Sequence, residues 1–300
     1  MSIVVSSISQ GILWAVLGLA LFLTFRILNF ADMTVEGSFP LGAATTVALI
    51  AHGTNPYLAS LAAIVVGALA GLATGLLYTK GKIPILLSGI LVMTACLSIN
   101  LRIMGSANIS LLNQKTIFSG SFLQGLPKYF DGVFVGLIII TVITLALIWF
   151  LQTELGQAFI ATGDNAKMAS AFGIKTDQMT IMGLMVSNAM IAFGGAVIAQ
   201  NNGFADINMG IGIIVIALAS IIIGEVVFGD LSLNQRLVAV VIGSILYRLV
   251  LLAVLQLGFS TNDLNLISSI ILAFAMVLPQ ARHFLKFDKV LNSLGGKNHD

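Results

Sequence analysis

The chain has one cysteine, three histidines and five prolines in 300 residues, and only 9% of it is charged. Each shortage excludes something. With Cys96 alone there is no intrachain disulfide, and its place inside an apolar run reads as a small buried hydrophobe. The histidines are His52 in a short loop and His283 and His299 near the C-terminus, so no Ser/His/Asp set, metal-ligand spacing or nucleophile elbow can be assembled. No metal site or catalytic residue is expected. A phosphate-cradling G-x-x-x-x-G-K-[ST] loop is missing too; the stretch from Gly75 to Ile83 has its lysines at the wrong spacing and lacks the hydroxyl. A net charge of +2 with dispersed basic residues gives no footprint for nucleic acid.

What remains is oil: 58% of the residues are hydrophobic, against a charged share well below the ~25% of a soluble domain. Apolar stretches long enough to cross ~30 Å of hydrocarbon recur throughout. Breaks at Gly, Pro, Asn and charge clusters place helices near 8–28, 35–51, 56–78, 84–104, 132–151, 178–200, 210–228, 237–257 and 265–280. The expected fold is an all-α polytopic membrane protein with about nine transmembrane helices in a single domain, 1–300, ending in a cytoplasmic tail, 281–300. The first span ends in Arg26-Ile-Leu-Asn rather than a small-residue cleavage site, so it reads as a retained helix.

Charge sets the orientation. With the C-terminus inside, Arg26, Lys80, Lys82, Lys167, Lys175, Arg236, Arg282, Lys286, Lys289 and Lys297 are cytoplasmic and only Lys115 and Lys128 external, ten against two. This predicts N-out, C-in. Arg102 and Arg248 fall within spans; Arg102 can snorkel outward, whereas Arg248 lies mid-span and needs carbonyls, an acid or a subunit interface, with Glu225 the partner suggested for want of nearer acids.

Three charges crowd the stretch RILNFADMTVEGSF, Arg26 to Phe39. Gly37 and the β-branched Thr34 and Val35 predict an irregular start to the second helix, with Asp32, Thr34, Glu36 and Ser38 as a polar lining to which Asn100 and Asn188 add amides. The alternative is that the two acids only complement a helix dipole. Phe30-Ala31-Asp32 is echoed by Phe204-Ala205-Asp206 on the opposite side of the membrane, which is either chance or an inverted repeat. Gly67, Gly71 and Gly75, four residues apart, form a small-residue face for packing within the chain or between subunits.

The polar segment 154–177 reads as a short cytoplasmic helix with Asp164 near its start, Asn165 and Lys167 following and Gly173 as its stop, on which Ala166, Ala169 and Phe172, or Met168 and Phe172, project together as an apolar face for a soluble partner.

Three stretches resemble the membrane permeases of ABC importers of the branched-chain amino acid and ribose type. They are Asn29–Gly37, the coupling-segment pattern Gly156–Ile174, and the apolar helix from Ala217 to Gly224-Glu225, where Glu225 replaces an expected second glycine. The wording NFADMTVEGSFPLGA is similar to permeases grouped with tryptophan or tyrosine uptake. The resemblance implies a bacterial plasma-membrane complex of two permease copies, two cytoplasmic ATPases that bind ATP and Mg, and an external solute-binding protein. The cargo would be an amino acid, aromatic favoured, with a sugar or nucleoside as the alternative and a heterodimer the alternative to a homodimer. A secondary transporter or channel would need a coupling acid deep in a span, whereas Asp32, Glu36 and Glu225 lie near helix ends; a purely structural membrane protein is the third class.

Overall fold

A computed structural model describes residues 2–277 except 113, 121–124, 126, 128, 230 and 260–262. The expected tail, the end of the ninth span and Lys128 lie outside the described residues. In chain order the elements are α1 (Ser2–Phe22), which continues into a π-helical turn (Leu23–Ile27), α2 (Val35–Ala51), α3 (Pro56–Thr79), α4 (Ile85–Met104), β1 (Asn108–Ser110), α5 (Phe130–Gln152), α6 (Glu154–Asp164), α7 (Ala166–Ala171), α8 (Thr176–Asn202), β2 (Phe204–Asp206), α9 (Ile213–Phe228), α10 (Leu233–Gln256) and α11 (Leu264–Val277). Among the described residues six helices are long and apolar enough to cross a membrane, while α2, α9 and α11 are shorter. The fold is nearly all-helical and multi-pass.

Local chemistry sets the boundaries. Asn55 accepts from the Tyr57 N–H ahead of Pro56 at the first turn of α3, and Ser232 with Gln235 forms a reciprocal cap on α10. Gly105 and Gly203 end α4 and α8 in left-handed conformation. The irregular backbone lies before α2 rather than in it. Leu28 N–H reaches back five residues to the Leu23 carbonyl, Asn29 has φ +57°, and α2 is α-helical from Val35 onward, with Pro40 inside it. Gly37 serves close packing instead: a Cβ there would stand 2.8 Å from Met93 Cα of α4.

The antiparallel pair β1–β2 joins the α4–α5 and α8–α9 connections at one end of the molecule. At the other end Asn29 Nδ2 donates to the Gly163 carbonyl, 3.1 Å, bringing α6 beside the α1–α2 connection.

The echo of Phe-Ala-Asp is a structural repeat. Asp32 Oδ1 accepts from the Thr34 N–H at 2.9 Å, and Asp206 Oδ1 accepts from the Asn208 N–H at 2.7 Å, so the same two-residue turn precedes the two short helices α2 and α9. The packing repeats as well. Helix α1 lies against α10, where Gly11 meets Ile245 and Gly18 meets Val240; its counterpart α8 lies against α3, where Gly75 meets Ile181 and Gly67 meets Ala192. Helices α1 and α8 touch and run antiparallel, since Ser187 Oγ donates to the Ala20 carbonyl while Gly194, further along α8, meets Leu17 and Val16, further back on α1. The helices that lead into the two Phe-Ala-Asp copies therefore run in opposite directions. The glycine face of α3 is used within the chain, with Gly71 so close to Leu184 of α8 that a Cβ would overlap its carbonyl.

Candidate functional site

Six polar residues are expected to line a path, and the structure divides them into two groups. Asp32, Thr34, Ser38 and Asn188 are buried and bonded to one another. Asn188 Nδ2 donates to Asp32 Oδ2 at 2.7 Å, Ser38 Oγ donates to Asn188 Oδ1 at 2.7 Å, and the Thr34 and Thr74 hydroxyls are 2.7 Å apart. Asn188 also donates to the Leu184 carbonyl, 3.0 Å, so its amide is fixed within its own helix. The cluster ties the start of α2 to α8 and α3. Because Asn188 stands about 18 Å along α8 from Thr176, at ~1.5 Å per residue, α2 begins at mid-depth rather than at a membrane surface.

Glu36 and Asn100 form the second group. Glu36 Oε1 accepts from the Gly212 N–H at 3.1 Å, so the first turn of α2 meets the residue that opens α9. Both are short helices, and their N-termini converge inside the molecule. Non-helical backbone at that depth is tolerated where protein or a cavity surrounds it, and a cavity is present. It measures about 170 Å³ and is bounded by Glu36, Gly37 and Pro40 of α2, by Met93, Thr94, Leu97 and Asn100 of α4, and by Ile207, Asn208 and Ile211 before α9. Asn100 is fully buried and neither its Nδ2 nor its Oδ1 has a hydrogen-bond partner.

The intramembrane charges require a correction. Glu225 does not pair with Arg248; it accepts from Arg26 Nε at 2.8 Å and from Arg26 Nη2 at 2.5 Å. Glu225, next to the close-packed Gly224 of α9, thereby anchors the end of α1. Arg248 instead stacks over the Trp14 ring, 4.2 Å from its centroid, and its Nε has no hydrogen-bond partner. The ring face carries negative charge density, so an aromatic substitutes for the expected acid.

The expected coupling helix is two helices. Asp164 closes α6 rather than opening the next helix, and Asn165 is the cap of α7, accepting from the Met168 N–H at 3.0 Å. Lys167 lies within α7 and Gly173, φ +85°, ends it. Ala169 is buried, whereas Met168 and Phe172 are 57% and 78% exposed. Sequence reasoning missed Thr74, Trp14 and the bridge in which Gln200 donates to Ser60 and accepts from the Ile117 N–H. A polar Gln200 within an apolar helix was the available signal.

The family of branched-chain amino acid transport system permease components matches residues 3–278. The chain belongs to this family. It is 38% identical over 272 residues to the tyrosine transport system permease protein of Clostridioides difficile, covering 91% of this chain and 90% of that one. An uncharacterized protein of Rickettsia prowazekii is 32% identical across 92% of this chain and 97% of its own length. The autoinducer 2 import system permease protein of Salmonella typhi is 27% identical over 65% of this chain and 55% of its own. No solved structure matches. This permease is a multi-pass protein of the bacterial cell membrane and a component of an ABC-type transport system.

Proposed function

We propose that this permease carries an amino acid, aromatic in preference to branched-chain, inward by alternating access in a complex powered by a separate ATPase that binds ATP and Mg. The observation that carries the reading is the similarity to a tyrosine transport permease along nine-tenths of both chains. The exposed pair Met168 and Phe172 supports a docking role for α7, with the ATPase receiving the two side chains in a groove and Asp164, Asn165, Lys167, Ala169 and Gly173 holding the turn in shape. An external solute-binding protein would deliver the cargo. Two copies of the chain would form the permease, with N-termini outside and C-termini inside.

Uptake into cells expressing the chain with its ATPase and binding protein tests the cargo. Competition of labelled tyrosine by tryptophan, with little effect of leucine or ribose, is expected; uptake of ribose with no amino-acid signal would overturn the assignment. Crosslinking of the singly expressed chain checks the pairing, and absence of a dimer without a second permease would favour a heterodimer.

A further inference from the structure

We propose that Glu36 and Asn100 form a binding site for the ammonium group of the passing solute, an assignment that rests on the amino-acid reading above. Two observations carry it independently. The cavity between α2, α4 and the segment before α9 holds a half-buried carboxylate on one wall and, on another, a fully buried amide whose polar atoms are both unpartnered. Buried polar groups are nearly always bonded, so an orphan amide beside a cavity of about 170 Å³, with room for several waters at ~30 Å³ each, is waiting for a partner.

Charge decides which partner. The N-termini of α2 and α9 converge here and would by themselves attract an anion. Each already has its own acid, since Asp32 accepts from the Thr34 N–H ahead of α2 and Glu36 from the Gly212 N–H at α9. A solute carboxylate would meet Glu36 as a like charge. An ammonium would instead find the Glu36 carboxylate and the Asn100 carbonyl oxygen, both acceptors. Apart from Thr94 and Asn208, the remaining lining is apolar, with Pro40, Met93, Leu97, Ile207 and Ile211 fitting a hydrophobic side chain attached to that ammonium. Fixed sites elsewhere in the network are unsuitable, because Asp32 and Asn188 already bond each other.

The test is protection of a cysteine in the cavity wall. In membranes containing the full-length chain with Cys96→Ser and Leu97→Cys, the rate of N-ethylmaleimide labelling is followed with tyramine, tyrosine or 3-(4-hydroxyphenyl)propionate present. Tyramine and tyrosine should slow labelling several-fold and the propionate should not. Glu36→Gln keeps an oxygen for the Gly212 N–H while removing the charge, so it should abolish protection without unfolding the chain; Asn100→Leu should weaken it. Equal protection by the propionate, protection by none of the three, or protection that survives Glu36→Gln would each overturn the site. Protection by tyramine in a complex that imports no amino acid would leave the ammonium site standing and remove the cargo assignment. Import of tyrosine without protection would do the reverse.

Discussion

Arg26 and Glu225, 199 residues apart in sequence, face each other through two N–H···O bonds and join the end of α1 to the end of α9. The fork of a guanidinium fits a carboxylate in this bidentate way, which gives direction as well as attraction. The Arg26 side chain is 43% exposed, so solvent screens part of the gain.

Loss of either partner is therefore expected to be modest but directional. Glu225→Ala should lower the stability of the purified chain by about 1–2 kcal/mol, the scale of a hydrogen bond to a charged group discounted for exposure. Exchange of the pair, Arg26→Glu with Glu225→Arg, should recover most of it. Thermal unfolding of the wild type, the single exchanges Arg26→Glu and Glu225→Arg and the double exchange in one detergent checks the cycle, and no coupling between the two positions would remove the bridge as a fastening.

The buried cluster should respond more strongly. Asn188→Ala takes a donor from Asp32 and the acceptor from Ser38 where neither can reach water, and about 2–3 kcal/mol of destabilisation is expected for groups left unsatisfied. Asp32→Asn should cost less, since an amide oxygen still accepts from the Thr34 N–H and Asn188 can turn its own amide over to accept from the new NH2 and donate to the Ser38 hydroxyl, losing only its bond to the Leu184 carbonyl. Denaturation midpoints that place the two variants in the opposite order would contradict this ranking.

Much of this architecture was legible in the sequence, and the failures have physical causes. The range 35–51 for α2 matches the observed helix because Asn29 to Thr34 breaks the periodicity before it and His52-Gly53 after it. Glu225 is the acid the sequence offers Arg248, because a sequence shows where acids lie along the chain, and nothing in it shows that Trp14 of α1 packs across α10. Asp164 reads as the start of a helix although it ends one, since Asp and Asn are both good caps and only the geometry shows that Asn165 is the one used. The repeat is visible in the sequence as three residues; the glycine face of α3 that packs on α8 is visible too, four residues apart, whereas its counterpart on α1 uses Gly11 and Gly18, seven apart, and nothing in the spacing relates the two.

At the soluble end, Phe172→Asp should leave insertion and helix content unchanged while abolishing copurification of the ATPase. A charge at a side chain 78% exposed disturbs nothing inside the chain, so any loss reports on the partner. Met168→Ala should give a smaller defect in stimulated ATP hydrolysis. Undiminished copurification of the Phe172→Asp protein would place the docking surface elsewhere.

Orientation is open to a labelling experiment. With Cys96→Ser as background, a cysteine at Asn108 on the β1 ribbon should react with a membrane-impermeant maleimide added to intact cells, whereas one at Lys175 should react only after the membrane is opened. The reverse pattern would invert the molecule.

The π-helical turn at Leu23–Ile27 holds one residue more than an α-helical turn needs. A helix advances about 100° per residue, at 3.6 residues per turn. If the same residues ran on as an unbroken α-helix, everything after the turn would swing by that angle. Arg26 would leave Glu225, and the turn that hands the chain on to Asp32 would point away from Asn188. The extra residue thus acts as a phase setting: it costs the helix its regularity and fixes the azimuth at which the chain turns inward.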